Sequence, residues 1–184
     1  MSEKKALKEY FGVELAERLS ELILPHYREF SSDSFVAAVA NQVEPLELKG
    51  RVAVITDELK RSLPSEYPMS LSILLNILGP ENETEEGMFT NGYFLMPVAH
   101  FVEKYGLNYF NLSMDALYEI TKRHTAEYAI RPYLSGDLDS CLKILSCWSQ
   151  DDNFHVRRLV SKVLVPAFHG QNEFLRFITT RQIT

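Results

Sequence analysis

The sequence predicts an all-α chain of short stacked helices, and three observations predict it. Apolar residues recur at spacings of three and four in nearly every segment, the period of one helical face. Alternating strand patterns are missing, and Asn91-Gly92, which could turn a hairpin, lies in a polar loop rather than between apolar runs. The helical segments are short and their connections brief, which suits stacked helical pairs as well as a bundle.

Taken in order, "EYFGVELAERLSELI" places Phe11, Leu15, Leu19 and Leu22 on one apolar stripe. "SSDSFVAAVANQV" opens with the N-cap candidates Ser31, Ser32 and Asp33 ahead of Phe35, Val36, Val39 and Val43. "ELKGRVAVITDELKRSL" and "PSEYPMSLSILLNILG" follow, with Pro64 suited to a first helical turn and Gly79 to a C-terminal cap. The acidic "PENETEEGMFTNG" reads as the one long loop. After it come "YFLMPVAHFVEKYG", closed by Gly106, and "NYFNLSMDALYEITKRH". In "TAEYAIRPYL" Pro132 is expected to interrupt the helix, and "DLDSCLKILSCWSQ" has Asp137 as its N-cap. "DDNFHVRRLVSKVL" resembles the opening of the second helix of a HEAT repeat: Asp151 or Asn153 caps it, Val156 packs inward and Arg157 runs along the surface. Self-similarity at a fixed period is not evident, so any repeats are divergent.

A chain of 184 residues, 46% hydrophobic and 24% charged, has the size and composition of one soluble globular domain. It lacks a run of roughly 20 apolar residues that could cross a bilayer, and "MSEKKALKEY" lacks the apolar centre of a signal peptide. Cys141 and Cys147 fit neither a disulfide framework nor a metal spacing, so two buried, reduced thiols in a cytoplasmic protein are expected. The net charge of -6 hides an asymmetry. Residues 1–120 hold ten Lys and Arg against nineteen Asp and Glu, whereas residues 121–184 hold nine against six. A positive segment on an acidic body can attract phosphate locally, because fields are screened over about 8–10 Å. Random scatter of surface charge is the competing account.

Two stretches carry a more specific resemblance: "LSMDALYEITKRHTAEYAIRPYL" (112–134) and "CWSQDDNFHVRRLVS" (147–161). With "LKEYFGVELAERLSELI", "FVAAVANQVEPLELKGRV" and "EEGMF", they resemble the AlkC-type DNA alkylation repair proteins, relatives of the AlkD glycosylases. The resemblance runs from residue 1 to about 161. It implies a HEAT-like superhelix that grips double-stranded DNA on a basic concave face. It also implies hydrolytic removal of cationic bases such as 3-methyladenine or 3-methylcytosine. Chemically, an N3-alkylated base is already a good leaving group, and its departure leaves an oxocarbenium-like sugar. Nearby carboxylates stabilise that cation and orient water, as the paired Asp/Glu of glycoside hydrolases do.

Residue by residue, the resemblance makes Glu127 in "TAEYA" a catalytic acid; the competing account is a surface pair with Arg131. Trp148 and Asp151 fall at a turn the family uses near DNA, against the alternatives of a core Trp and a capping Asp. Lys122, Arg123, Arg131, Arg157 and Arg158 are the candidates for phosphate contacts, or else a solvated helical face. His155 is expected to be neutral or exposed and is given no chemistry. "His124-Thr125-Ala126-Glu127" is not a metal motif, and no metal or cofactor is expected.

After Ser161 the resemblance ends. The family continues approximately "EGTRPRLPW", with a second catalytic Glu, an Arg and a Trp, and extends through later repeats. Here Lys162 stands for the Glu, Val165 for the Arg and Gly170 for the Trp. An ammonium in place of a carboxylate beside a developing cation inverts the electrostatics. "KVLVPAFHGQ" can be encoded as AAG GTA CTC GTC CCC GCC TTC CAT GGG CAA. One G placed ahead regroups this as GAA GGT ACT CGT CCC CGC CTT CCA TGG GCA, which spells EGTRPRLPWA. A one-base loss after the Ser161 codon therefore accounts for all ten residues 162–171. On that reading residues 162–184 form an aberrant tail. Lys162 to Val165 extend the last helix until Pro166 stops it. Phe168, Phe174, Leu175 and Phe177 either fold onto the open end or invite self-association of an otherwise monomeric chain. The two functional expectations are a DNA glycosylase left weak or inactive by the missing Glu, and a non-catalytic helical-repeat module that binds DNA or protein.

Overall fold

The computed structural model describes residues 6–84 and 92–167. Every regular element among them is helical: α1 (Val13–Ile23), α2 (Ser32–Val43), α3 (Leu48–Ser62), α4 (Tyr67–Asn76), α5 (Met96–Tyr105), α6 (Phe110–Thr121), α7 (Arg131–Gly136), α8 (Leu138–Trp148) and α9 (Phe154–Ala167). Short 3-10 turns precede α1 and α5. Most packing follows chain order: α1 on α2, α2 on α3, α5 on α6, and α7 on α8. α9 also packs on α8 before it, and longer steps join α3 to α5, α4 to α6, and α6 to α9. This is the neighbour-on-neighbour arrangement expected of stacked helical pairs. No helix among the described residues is long and apolar enough to cross a membrane.

One apolar face of each long helix faces the core. Phe11, Leu15, Leu19 and Ile23 are fully buried, so Ile23 rather than Leu22 completes the first stripe. Phe35, Val39 and Val43 do the same for α2, with Val36 only half-buried. Each fully buried side chain of this size contributes about 1.5–3 kcal/mol relative to exposure.

Several helix boundaries differ from expectation for physical reasons. Pro64 lies ahead of α4, whose first turn instead contains Pro68. Pro132 does not interrupt a helix. It occupies the first turn of α7, where its missing N–H has no intrahelical partner to lose. Residues 127–130 form a turn before it. Helix α9 is described to Ala167, one residue beyond Pro166. Cys141 is buried, and burial pushes its thiol up to about 11; Cys147 is exposed instead of buried, facing away from the core side of α8. The expected apolar patch at Phe168, Phe174, Leu175 and Phe177 lies outside the described residues.

Two glycines carry structural requirements, and they differ. Gly79, after α4, adopts φ +73, a left-handed turn that a side chain would strain. Gly106 caps α5 with an ordinary φ of -96. It is required by close approach: a Cβ there would run into the hydroxyls of Tyr67, Ser113 and Tyr133. Those hydroxyls tie four elements together. Tyr67 and Ser113 hydroxyls lie 2.8 Å apart, Ser113 donates to the Gly106 carbonyl at 2.8 Å, and Tyr133 donates to the Val102 carbonyl at 2.7 Å. Burial holds the Tyr67 hydroxyl well above its ordinary pKa, so it stays protonated. Gly106→Ala is expected to lower stability by about 1–3 kcal/mol, the usual scale of overpacking. Thermal unfolding checks it, with an expected fall of roughly 2–4 °C per kcal/mol for a chain of this size.

Candidate active-site cleft

The helix pair α6 and α9, with the turn before α7, brings the charged residues of the C-terminal part together. A shallow cleft there is lined by Thr121, Thr125, Glu127, His155, Arg158, Leu159 and Lys162. Thr121 is the last residue of α6, Thr125 and Glu127 belong to the connection that follows, and the rest lie on one face of α9. The α9 residues 155, 158, 159 and 162 follow the three- and four-residue helical spacing.

Glu127 sits in this cleft with its side chain 27% exposed, and its carboxylate pairs with Arg131 at 3.2 Å. Arg131, 54% exposed, also lies over the Tyr128 ring at 4.5 Å. A pair this exposed contributes roughly 0.2–1 kcal/mol, so Glu127 can exchange partners at little cost. Lys162, exposed on α9, lines the same cleft.

A second network fixes the cleft's position. Lys122, just past α6 and only 13% exposed, reaches both Glu81 and Glu119 at 2.8 Å and lies 4.7 Å from the Tyr118 ring. Arg123 donates to the Gly79 carbonyl at 2.7 Å and pairs with Glu119 at 3.0 Å. The Asn82 amide donates to the Lys122 carbonyl at 2.9 Å. Burial works against the Lys122 charge, but hydrogen bonds to Glu119 and Glu81 outweigh it and raise the lysine's pKa. The Lys122 hydrogen bond likewise holds Glu81 below the usual carboxylate range.

The same network reaches α9. Tyr118 donates its hydroxyl to Asp151 at 2.7 Å, and the other Asp151 oxygen accepts the Asn153 amide at 2.7 Å. Asn153 then caps α9, accepting the His155 amide at 2.9 Å. Both capping candidates therefore act in sequence, Asp151 on the turn and Asn153 on the helix. At the next helix back, Asp137 caps α8 by accepting the Ser140 amide at 3.1 Å.

The residues singled out from sequence thus divide. Glu127, Arg158 and, at the rim, Arg131 gather at the cleft. Lys122 and Arg123 are engaged with internal carboxylates and carbonyls. Trp148 is 8% exposed and packs on Tyr118 at 5.5 Å between ring centres. Arg157 donates to the Asp151 and Asp152 carbonyls at 2.6 and 2.9 Å while remaining exposed. His155, expected to be neutral or exposed and without a role, is buried: it is 3% exposed, and its Nε2 donates to the Thr84 carbonyl at 3.0 Å. Its apolar neighbours in sequence gave no sign of this. Its position one residue before the buried Val156, at the start of a helix that packs on two others, was the available signal.

By fold and site, the chain has a helical-repeat fold with a charged cleft between the end of α6 and α9. No family model matches it. It is 32% identical over 157 residues to the Bacillus subtilis (strain 168) protein YhaZ, which is uncharacterized, covering 85% of this chain and 42% of that protein. It is also similar to the Pseudomonas fluorescens alkylpurine DNA glycosylase AlkC, solved bound to DNA containing an abasic site analog. That likeness has a TM-score of 0.74 and 32% identity over 85% of this chain and 42% of the other. The matched part is AlkC-like in both sequence and fold, and the chain spans less than half the length of either relative.

The clamp makes stability depend on acid. Glu81 has a lowered folded pKa, so its contribution is complete above the ordinary value of 4.5 and is lost as pH falls through the depressed folded value. Glu81→Gln is therefore expected to reduce stability at neutral pH and to lose less on acidification than the parent. Melting temperatures across the carboxylate range check this; parallel curves for parent and variant would contradict it.

Proposed function

We propose that the chain derives from an AlkC-type DNA glycosylase that hydrolyses the N-glycosidic bond of cationic N3-alkylated bases in double-stranded DNA, 3-methyladenine and 3-methylcytosine among them. The observation that carries this reading is that Glu127 and residue 162, the two positions the family fills with catalytic carboxylates, line one cleft. The likeness to a glycosylase solved on abasic DNA supports it. In the reaction the C1′–N bond breaks with its electron pair leaving on the base, which becomes neutral. The water oxygen bonds C1′, and one water proton passes to Glu127. Arg131 and Arg158, beside the cleft, are the phosphate-binding residues this geometry favours; Arg157, exposed on the same helix, extends that surface. Lys122, Arg123, Trp148 and Asp151 hold the cleft's walls and act on DNA only through them.

Lys162 places a positive charge where a cationic sugar would develop, so this chain turns over weakly or not at all. Release of free methylated base from alkylated DNA tests the reading. Lys162→Glu is expected to raise the single-turnover rate by roughly 10²-fold or more, the scale on which one well-placed electrostatic group acts. Restoring residues 162–171 to EGTRPRLPWA is expected to raise it further. If the full-length protein in the shifted frame also releases nothing, the glycosylase reading loses its basis. Lys162 itself favours a second reading of the chain as it stands, DNA binding without turnover, which predicts affinity falling steeply with added salt.

We also propose that residues 162–184 are read one base out of step, following a helical-repeat part that ends at Ser161. That residue 162 lines the same cleft as Glu127 supports this, since a selected carboxylate would have a use there. Sequencing the encoding DNA across the Ser161 codon checks it. Codons that cannot be regrouped to EGTRPRLPWA would end the idea.

A further inference from the structure

Tyr128 is the most exposed large apolar side chain among the described residues, at 63%. It follows Glu127, which lines the cleft, and it stands between residues fixed in the core: Ala126, Ala129 and Ile130 are buried. Backbone bonds close the turn around it. The Ile130 amide donates to the Ala126 carbonyl at 3.1 Å, and the Arg131 amide donates to the Tyr128 carbonyl at 3.2 Å. The Arg131 guanidinium lies over the ring at 4.5 Å while pairing with Glu127 at 3.2 Å. A cation above a ring covers one face only, and exposure this high leaves the rest of the ring to solvent. An aromatic surface is thus held on a rigid turn, outside the core, beside an arginine and at the edge of the cleft.

We infer that the Tyr128 ring is a stacking platform for an unpaired base in DNA. The inference rests on the DNA glycosylase reading of the neighbouring cleft. Every nucleobase has a π-face, so stacking on an aromatic side chain is indifferent to sequence. It is not indifferent to pairing. Inside an intact duplex both faces of a base are already covered by its neighbours, whereas a base without a partner is the least costly to unstack. The platform therefore selects DNA that is locally unpaired, whatever the base. Tyrosine suits the task because only two side-chain torsions are frozen when its ring is covered. Arg131, 54% exposed beside the ring, brings a guanidinium to the phosphates that a stacked nucleotide carries with it. The nine Lys and Arg against six Asp and Glu of residues 121–184 favour a polyanion over an acidic-neutral protein surface as the partner.

Equilibrium binding tests this without any turnover. The probes are a DNA duplex with one bulged 2-aminopurine and the same duplex with that base paired to thymine. The chain as it stands is expected to prefer the bulged duplex. Tyr128→Leu, which keeps an apolar side chain but no ring, is expected to weaken binding of the bulged duplex roughly 5- to 100-fold, the range that one base–aromatic stack supplies. Its affinity for the paired duplex and its melting temperature are expected to stay unchanged, and Tyr128→Phe is expected to match the parent. Stacking quenches 2-aminopurine, so at saturating protein the bulged base is expected to be dimmer with the parent than with Tyr128→Leu. A parent that binds the two duplexes equally overturns the inference, and so does equal brightness in the two complexes. Equal loss on both duplexes also overturns it, because that is what a ring serving only to hold Arg131 would produce. Each of these results leaves DNA binding standing. A parent that binds neither duplex at low salt overturns the DNA reading, and this inference with it.

Discussion

The Lys122 ammonium is the contact on which the C-terminal architecture depends. It joins Glu81, from the segment after α4, to Glu119 on α6, and it lies over Tyr118, whose hydroxyl reaches Asp151 before α9. Without that contact, the segment after α4 loses its ion pair to the end of α6, the helix from which Tyr118 reaches Asp151. A mostly buried charge is costly unless paired and hydrogen-bonded, and here two carboxylates and an aromatic face satisfy it. The Arg123 and Asn82 bonds to backbone groups then make the attachment directional. The cleft's geometry follows, because Thr125 and Glu127 extend from the end of α6 while His155, Arg158 and Lys162 project from α9.

This arrangement separates two uses of positive charge that look alike in sequence. Lys122 and Arg123 meet internal acceptors at short range and hold structure. Arg131 and Arg158 stand beside a carboxylate at an open cleft. Lys162 belongs with the second group by position and opposes it by chemistry. Glu127 and Lys162 line the same cleft, and on the proposed reading the mismatch between them is local to a single turn of α9.

Most of the fold was legible from the chain. The period of the apolar residues placed nearly every helix, and Asp137 and Asn153 cap the helices they precede, because capping is local chemistry between a side chain and amides two or three residues on. Proline was read less well. Pro132 lies in the first turn of a helix instead of breaking one, since the effect of a proline depends on which turn it occupies rather than on its presence. Gly106 was placed at the right helix end, yet its reason is three hydroxyls arriving from other helices, and no local pattern contains them.

The site was legible only in part, and for the same reason. Sequence by itself determined that the protein is helical, that its C-terminal part is basic on an acidic body, and that Glu127 and residue 162 are the positions where its AlkC-like resemblance places acids. Only the tertiary structure decided that these two line one cleft, that Lys122 and Arg123 are engaged within the chain, that Trp148 is core, and that His155 is buried against the Thr84 carbonyl. A helical period says which residues share a face. Which carboxylate, carbonyl or ring meets that face is set by elements far away in the chain, and that pairing exists only after they have packed.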